Sequence, residues 1–140
     1  MADTFLFDTN AISDAMAEHP HFIANMQSHV RVFATSVIVR GEVLYGLRRL
    51  PAGKRRDDLT VKALRLLAAL ACQPITEAVA DAYAEVRPVL ESRGTMVNDN
   101  DLWIAASARA AGCVLVTRDE DFRHVPQLRV VDWTQPAQPE

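Results

Sequence analysis

Short apolar runs that stop abruptly at a polar residue alternate along this chain with longer stretches of helical period. Thr4-Phe5-Leu6-Phe7 is too short for a helix and ends at Asp8-Thr9-Asn10, which predicts a first strand buried on both faces. Ala11 to Ala17 and Pro20 to His29 read as two short helices, the second opened by its proline. Val30 to Ala34 is a second strand, and Thr35 or Ser36 caps the helix from Val37 to about Leu50. That helix repeats Val39, Val43, Leu44, Leu47 and Leu50, with Glu42 set among uncharged neighbours. Pro51-Ala52-Gly53 closes it, and Lys54 to Ala71 forms the next, with Leu59, Leu64, Leu66, Leu67 and Leu70 on its apolar face. Gln73-Pro74-Ile75 reads as an edge strand because of its proline. Thr76 caps a helix to about Ser92, which Pro88 is expected to bend or reset. A further helix starts near Asn98 or Asp99 and ends at Gly112. Cys113 to Thr117 and Leu128 to Val131 are the last strands, with Trp133 clamping the end.

Strands alternating with helices over short connections imply right-handed crossovers. The expected fold is α/β: a three-layer α/β/α arrangement around a central parallel sheet of four to five strands. A single domain is expected over residues 1–134, with 135–140 a disordered tail. A length of 140 residues and 49% hydrophobic content suffice for a substantial core. The net charge of −3 argues against coating nucleic acid by bulk charge, while leaving room for a local basic surface. Arg40, Arg48, Arg49, Lys54, Arg55, Arg56, Lys62 and Arg65 lie along the central helical pair, as either a solvated face or a phosphate-tracking surface. Cys72 and Cys113 have no metal-ligand spacing and are expected to be buried free thiols. No signal segment or membrane span is read, so a soluble cytoplasmic protein is expected.

The stretch from Asn98 to Ala106 carries the first sign of chemistry. Asp101 falls in the first turn of its helix, followed on the same side only by Ala105, Ala108 and Gly112. Such a helix can press against a sheet with its acid held at the rim. Asp8 and Asp119 end strands, and Glu42 rides a helix that follows one, so in a doubly wound sheet all four acids can meet outside the strand carboxyl ends. Each also has a local explanation: Asp8 as a helix cap, Asp101 or Asp99 as a partner of the helix dipole, Asp119 as an Asx turn. Gathered together they would repel and raise one another's pKa unless a cation neutralised them. Oxygen-only ligands point to a hard ion, Mg2+ or Mn2+, and to phosphodiester hydrolysis by metal-activated water.

These residues carry a resemblance to the PIN-domain family, in particular the VapC-type toxins of bacterial toxin–antitoxin pairs. It rests on Leu6-Phe7-Asp8-Thr9-Asn10, Ser36 with Gly41-Glu42-Val43 and Tyr45-Gly46, Asp101-Leu102-Trp103-Ile104-Ala105-Ala106, and Leu115-Val116-Thr117-Arg118-Asp119. Phe122, Val125-Pro126-Gln127-Leu128 and Asp132-Trp133 complete it, so that it runs from Phe5 to Trp133. The resemblance implies a metal-dependent endoribonuclease, usually a homodimer, acting on structured RNA such as tRNA and held inactive by a cognate antitoxin over the acidic pocket. It places the acidic quartet on Asp8, Glu42, Asp101 and Asp119, with Asp8 and Asp101 the main Mg2+ ligands, Glu42 and Asp119 supporting, and Asn10 and Ser36 accompanying them. The chain departs from the family where Met96, Val97 and Asn98 replace a proline and glycine, and where Asp99 and Asp121 double the third and fourth acids. Asp101 is preferred for the small side of its helix, and Asp119 for its nearness to the strand end. Helices between Asn10 and Leu70 offer an apolar surface for a dimer or antitoxin. The alternative function is a non-catalytic PIN-fold module that grips RNA or a partner.

Overall fold

The structure is a computed structural model that describes residues 3–28, 32–95 and 98–137. Five parallel strands, β1 (Thr4–Phe7), β2 (Val32–Ser36), β3 (Ala71–Gln73), β4 (Val114–Val116) and β5 (Val130–Val131), lie in the order β3-β2-β1-β4-β5. The helices are α1 (Thr9–Met16), α2 (Pro20–Gln27), α3 (Val37–Arg48), α4 (Lys54–Ala68), α5 (Glu77–Ser92) and α6 (Asp99–Ala111), with a 3-10 helix at Glu120–His124. The chain steps outward from β1 through β2 to β3, then returns to the other side of β1 with β4. A reversal of this kind leaves a crevice outside the carboxyl ends of the two strands, here β1 and β4.

β1 is the central strand. Leu6 pairs with Ala34 on one side and Leu115 on the other, and Phe5, Leu6 and Phe7 are all buried, as a strand covered on both faces requires. Phe5 and Phe7 project to one face, where the Trp133 ring packs 5.0 and 5.7 Å from theirs. Phe22 of α2 meets Phe7 and Trp133 edge-on at 5.4 and 5.6 Å, a favoured geometry for aromatic rings. The buried Asn25 amide donates to the carbonyls of Trp133 and Gln135, at 3.1 and 3.0 Å, and so ties the segment after β5 to α2.

The expected element order is present, with shifted edges. β2 continues to Ser36, so Thr35 is a strand residue whose hydroxyl donates to the Phe7 carbonyl at 3.0 Å, and Ser36 alone caps α3. α4 stops at Ala68, three residues short of the expected Ala71, and β3 sits two residues earlier than expected. Gln73 is the last residue paired to β2, and Pro74, lacking an N–H, follows it. Leu64 is exposed while Ala63 and Leu67 face the core, and Cys72, on that edge strand, is exposed where only Cys113 is buried. Pro88 does not reset its helix: α5 runs unbroken to Ser92. The expected helix end at His29, strand start at Val30, the departures at Met96 and Val97, and tail positions 138–140 lie outside the described residues.

Trp133 joins β1, β2 and α2, so Trp133→Ala is expected to lower unfolding free energy by about 3–5 kcal/mol in urea denaturation. A loss below about 1 kcal/mol, within the range of an ordinary surface substitution, would show that this cluster does not organise the fold.

Candidate active site

Each acid reaches the crevice through a local backbone device. Asp8 follows β1 with an extended backbone and caps α1, its Oδ1 accepting from the Ala11 N–H at 2.7 Å, yet it is almost fully buried. Its own N–H donates to the Val116 carbonyl at 3.3 Å, which sets it beside the end of β4. The Thr117 hydroxyl donates to the Asp8 carboxylate and accepts from the Asp119 N–H at 3.1 Å, so one buried hydroxyl ties the two strand ends. Asp119 caps the 3-10 helix, Oδ1 accepting from the Asp121 N–H at 3.0 Å. Asp101 enters from the first turn of α6, where its N–H is held by Asn98 Oδ1 at 2.8 Å. Glu42 enters from α3, whose start is fixed by the buried Ser36 hydroxyl accepting from the Val39 N–H at 3.2 Å.

The charges of these groups act on one another. Asp8 has its pKa pushed up to about 6, first by burial and then by Asp101 and Asp119, against the hydrogen bonds from Thr117 and Ala11. Asp101 is likewise raised to about 6, by burial and by repulsion from Glu42, Asp119 and Asp121. Glu42 is held by neutral donors: Thr9 Oγ1 donates to Oε1 at 2.6 Å and Asn100 Nδ2 donates to Oε2 at 3.4 Å. Four separate segments therefore bring carboxylates into one field.

The doubled acids separate in space. Asp99 accepts from the Tyr83 hydroxyl and lies 3.6 Å from Arg87, facing α5, whereas Asp101 faces the other acids. Asp121 is exposed and acts on Asp101, while Asp119 acts on both Asp8 and Asp101. Asn10 accepts from Arg118 at 3.4 Å, and Ser36 acts as a helix cap; among the described residues neither hydrogen-bonds to a carboxylate of the quartet. Thr9, Asn100 and Thr117 are each bonded to an acid, a role that their sequence pattern does not announce. A hydroxyl residue ending an apolar strand, as Thr117 does after Val114-Leu115-Val116, is a signal that could have found one of them. A cavity of about 430 Å³ lies elsewhere, at the amino ends of β1 and β4 beside Trp133, and no acid of the quartet lines it.

The donor set is all oxygen, which suits a hard cation. Among the described residues, no three His, Cys, Asp or Glu side chains gather into a group that by itself would hold an ion. Mg2+ is bound through one or two carboxylates and keeps most of its waters, so a pair of oxygen donors such as Asp8 and Asp101 fits it. Asp8 and Asp101, the two acids whose ionised forms are least favoured, are the pair a cation would relieve most.

The family model for the PIN domain matches residues 5–128. The chain belongs to the PIN-domain family. This PIN domain is 29% identical over 133 residues to Ribonuclease VapC2 of Rickettsia felis, covering 92% of this chain and 97% of that protein. It is 30% identical over 139 residues to VapC ribonuclease Y4jK of Sinorhizobium fredii, covering 94% and 99%. In structure it is similar to VapBC2 from Rickettsia felis, solved bound to a DNA fragment from their promoter, with a TM-score of 0.82, 28% identity and coverage of 93% and 98%. Among the described residues, no helix is long and apolar enough to cross a membrane.

Both raised carboxyls start from 3.8 and reach about 6 on folding, so between those values the folded chain holds more protons than the unfolded one. Their contribution to stability is thus greatest at low pH, falls as pH rises through that window, and stays low above it. Asp8→Asn keeps a side-chain oxygen for the cap and removes one charge. Without metal it is expected to match the parent near pH 4 and exceed it by about 1–2 kcal/mol at pH 7. Thermal unfolding of both proteins across that range checks this, and a difference independent of pH would contradict it.

Proposed function

We propose that this PIN domain is a divalent-metal-dependent endoribonuclease that hydrolyses RNA phosphodiester bonds, the toxin of a toxin–antitoxin pair. The observation that carries the reading is the set of four acids brought together at the β1/β4 crevice, with Asp8 raised by burial and by Asp101 and Asp119, and Asp101 raised by burial and by Glu42, Asp119 and Asp121. The relatives named as VapC ribonucleases and the VapBC2 structure support it.

In this reading Asp8 and Asp101 hold Mg2+ or Mn2+, with Glu42 and Asp119 in supporting positions beside them. An ion held there lowers the pKa of the attacking water and neutralises charge on the phosphate and the leaving oxygen. Glu42, fixed on both oxygens by Thr9 and Asn100, keeps a carboxylate oriented toward the crevice and accepts a hydrogen bond from the water. Asp119, pinned by its own helix cap and by Thr117, takes the corresponding place on the β4 side. The exposed cations of α3 and α4 guide the RNA backbone toward these acids. A cognate antitoxin protein covers the crevice when the toxin is silent, and the active form is a cytoplasmic homodimer.

A non-catalytic binding module is the second reading. The four acids weigh against it, since a surface that only grips RNA gains nothing from buried mutual repulsion.

Purified protein freed of any partner is expected to cleave structured RNA such as tRNA with Mg2+ or Mn2+ and to stop in EDTA. Asp8→Asn and Asp101→Asn should reduce cleavage to background with the fold intact by circular dichroism. Thr9→Ala, which frees Glu42 without removing it, should lower the rate by about 10–100-fold. Full metal-dependent cleavage in Asp8→Asn would overturn the assignment.

A further inference from the structure

The outward strip of α3 has no explanation in the packing of the chain. Glu42, Tyr45, Gly46 and Arg49 lie on one side of the helix at three- and four-residue spacing, so the strip begins at the acidic crevice. Tyr45 is 65% exposed, and the Arg49 guanidinium lies 5.7 Å from the centre of its ring. Glycine inside a helix costs stability, yet Gly41 and Gly46 both stand in α3, exposed. A Cβ built at either would meet nothing within 4 Å, so the chain itself does not require glycine there.

We infer that Tyr45, with the bare backbone at Gly41 and Gly46 and the cation of Arg49, is a stacking platform for an unpaired base of the RNA substrate. An aromatic face stacks on any nucleobase, a guanidinium beside it adds charge for the phosphate, and missing side chains let a sugar approach the helix. The surroundings favour nucleic acid over a protein helix. Arg40 and Arg48 of α3, Arg49 at its C-cap and Arg55 of α4 are exposed and, among the described residues, are in no ion pair, whereas the exposed apolar Val61 and Leu64 belong to α4 and Val37 stands at the first position of α3. Tyr45 is one helical turn from Glu42, so a base resting on it sets a neighbouring phosphodiester at the mouth of the crevice. The substrate feature recognised is therefore a single-stranded nucleotide next to the cut.

This inference rests on the nuclease reading, and its test is made by binding so that the two can fail separately. In an Asp8→Asn background, fluorescence anisotropy measures affinity for a short unstructured RNA of mixed sequence and for the same sequence paired into a duplex. Adding Tyr45→Ala is expected to weaken the single-stranded complex by about tenfold, the size of one lost base stack, while leaving the duplex complex within about twofold. Tyr45→Phe should bind like the parent, and Gly46→Ala should melt higher and bind the single strand less well. Unchanged affinity in Tyr45→Ala, an equal loss in Tyr45→Phe, or a loss that accompanies a change of oligomeric state on size exclusion overturns the platform while the nuclease stands. Absence of RNA binding together with absence of cleavage by the parent overturns both.

Discussion

Negative charges brought together in a half-dry crevice repel, and the fold of this PIN domain is arranged so that they meet all the same. Asp8 is buried beyond the end of the central strand, Asp101 from α6 and Asp119 from the turn after β4 act on it, and Glu42 from α3 acts on Asp101. A chain selected for stability alone would place such groups in water. The rest of the molecule can be understood as what holds them in place. β1 is paired on both sides and buried on both faces, Trp133 and the phenylalanines lock one face, and small residues on α6 let that helix sit close.

The same side chains that confront one another also shape the backbone locally. Asp8 starts α1, Asp119 starts the 3-10 helix, and Asn98 starts the helix that carries Asp101. A carboxylate at a helix start gains hydrogen bonds from free N–H groups and a favourable dipole, which offsets part of its desolvation. Thr9, Asn100 and Thr117 supply the remaining polar contacts. Capping and candidate chemistry are thus the same feature at Asp8 and Asp119, and a local structural role for either gives no ground for excluding a functional one.

Much of this was legible in the chain. The apolar run before Asp8, the small side of the helix after Asp101 and the β-branched strand before Asp119 each fixed an element and placed an acid at its end. The alternation of strand and helix gives the parallel sheet, whereas the strand order comes from the structure alone. The losses came where one residue serves two patterns. Ala71 continues a helical period but pairs with Ala34, so the periodicity overruns the end of α4 and sets β3 too late. Leu64 belongs to a leucine-rich run, and only packing shows that the smaller Ala63 faces inward. Thr9 and Asn100 were missed because their partner, Glu42, is 33 and 58 residues away, a distance that no local period spans.

The account depends on two carboxyl groups that ionise reluctantly until a cation joins them. Carbon-13 NMR titration of the aspartate carboxyls measures this directly, without RNA or turnover. Two aspartates, assigned to Asp8 and Asp101 by substitution, should titrate near pH 6 in the metal-free protein and move well below that on adding Mg2+. Titration of both at the ordinary carboxylate value, unaltered by Mg2+, would contradict the account.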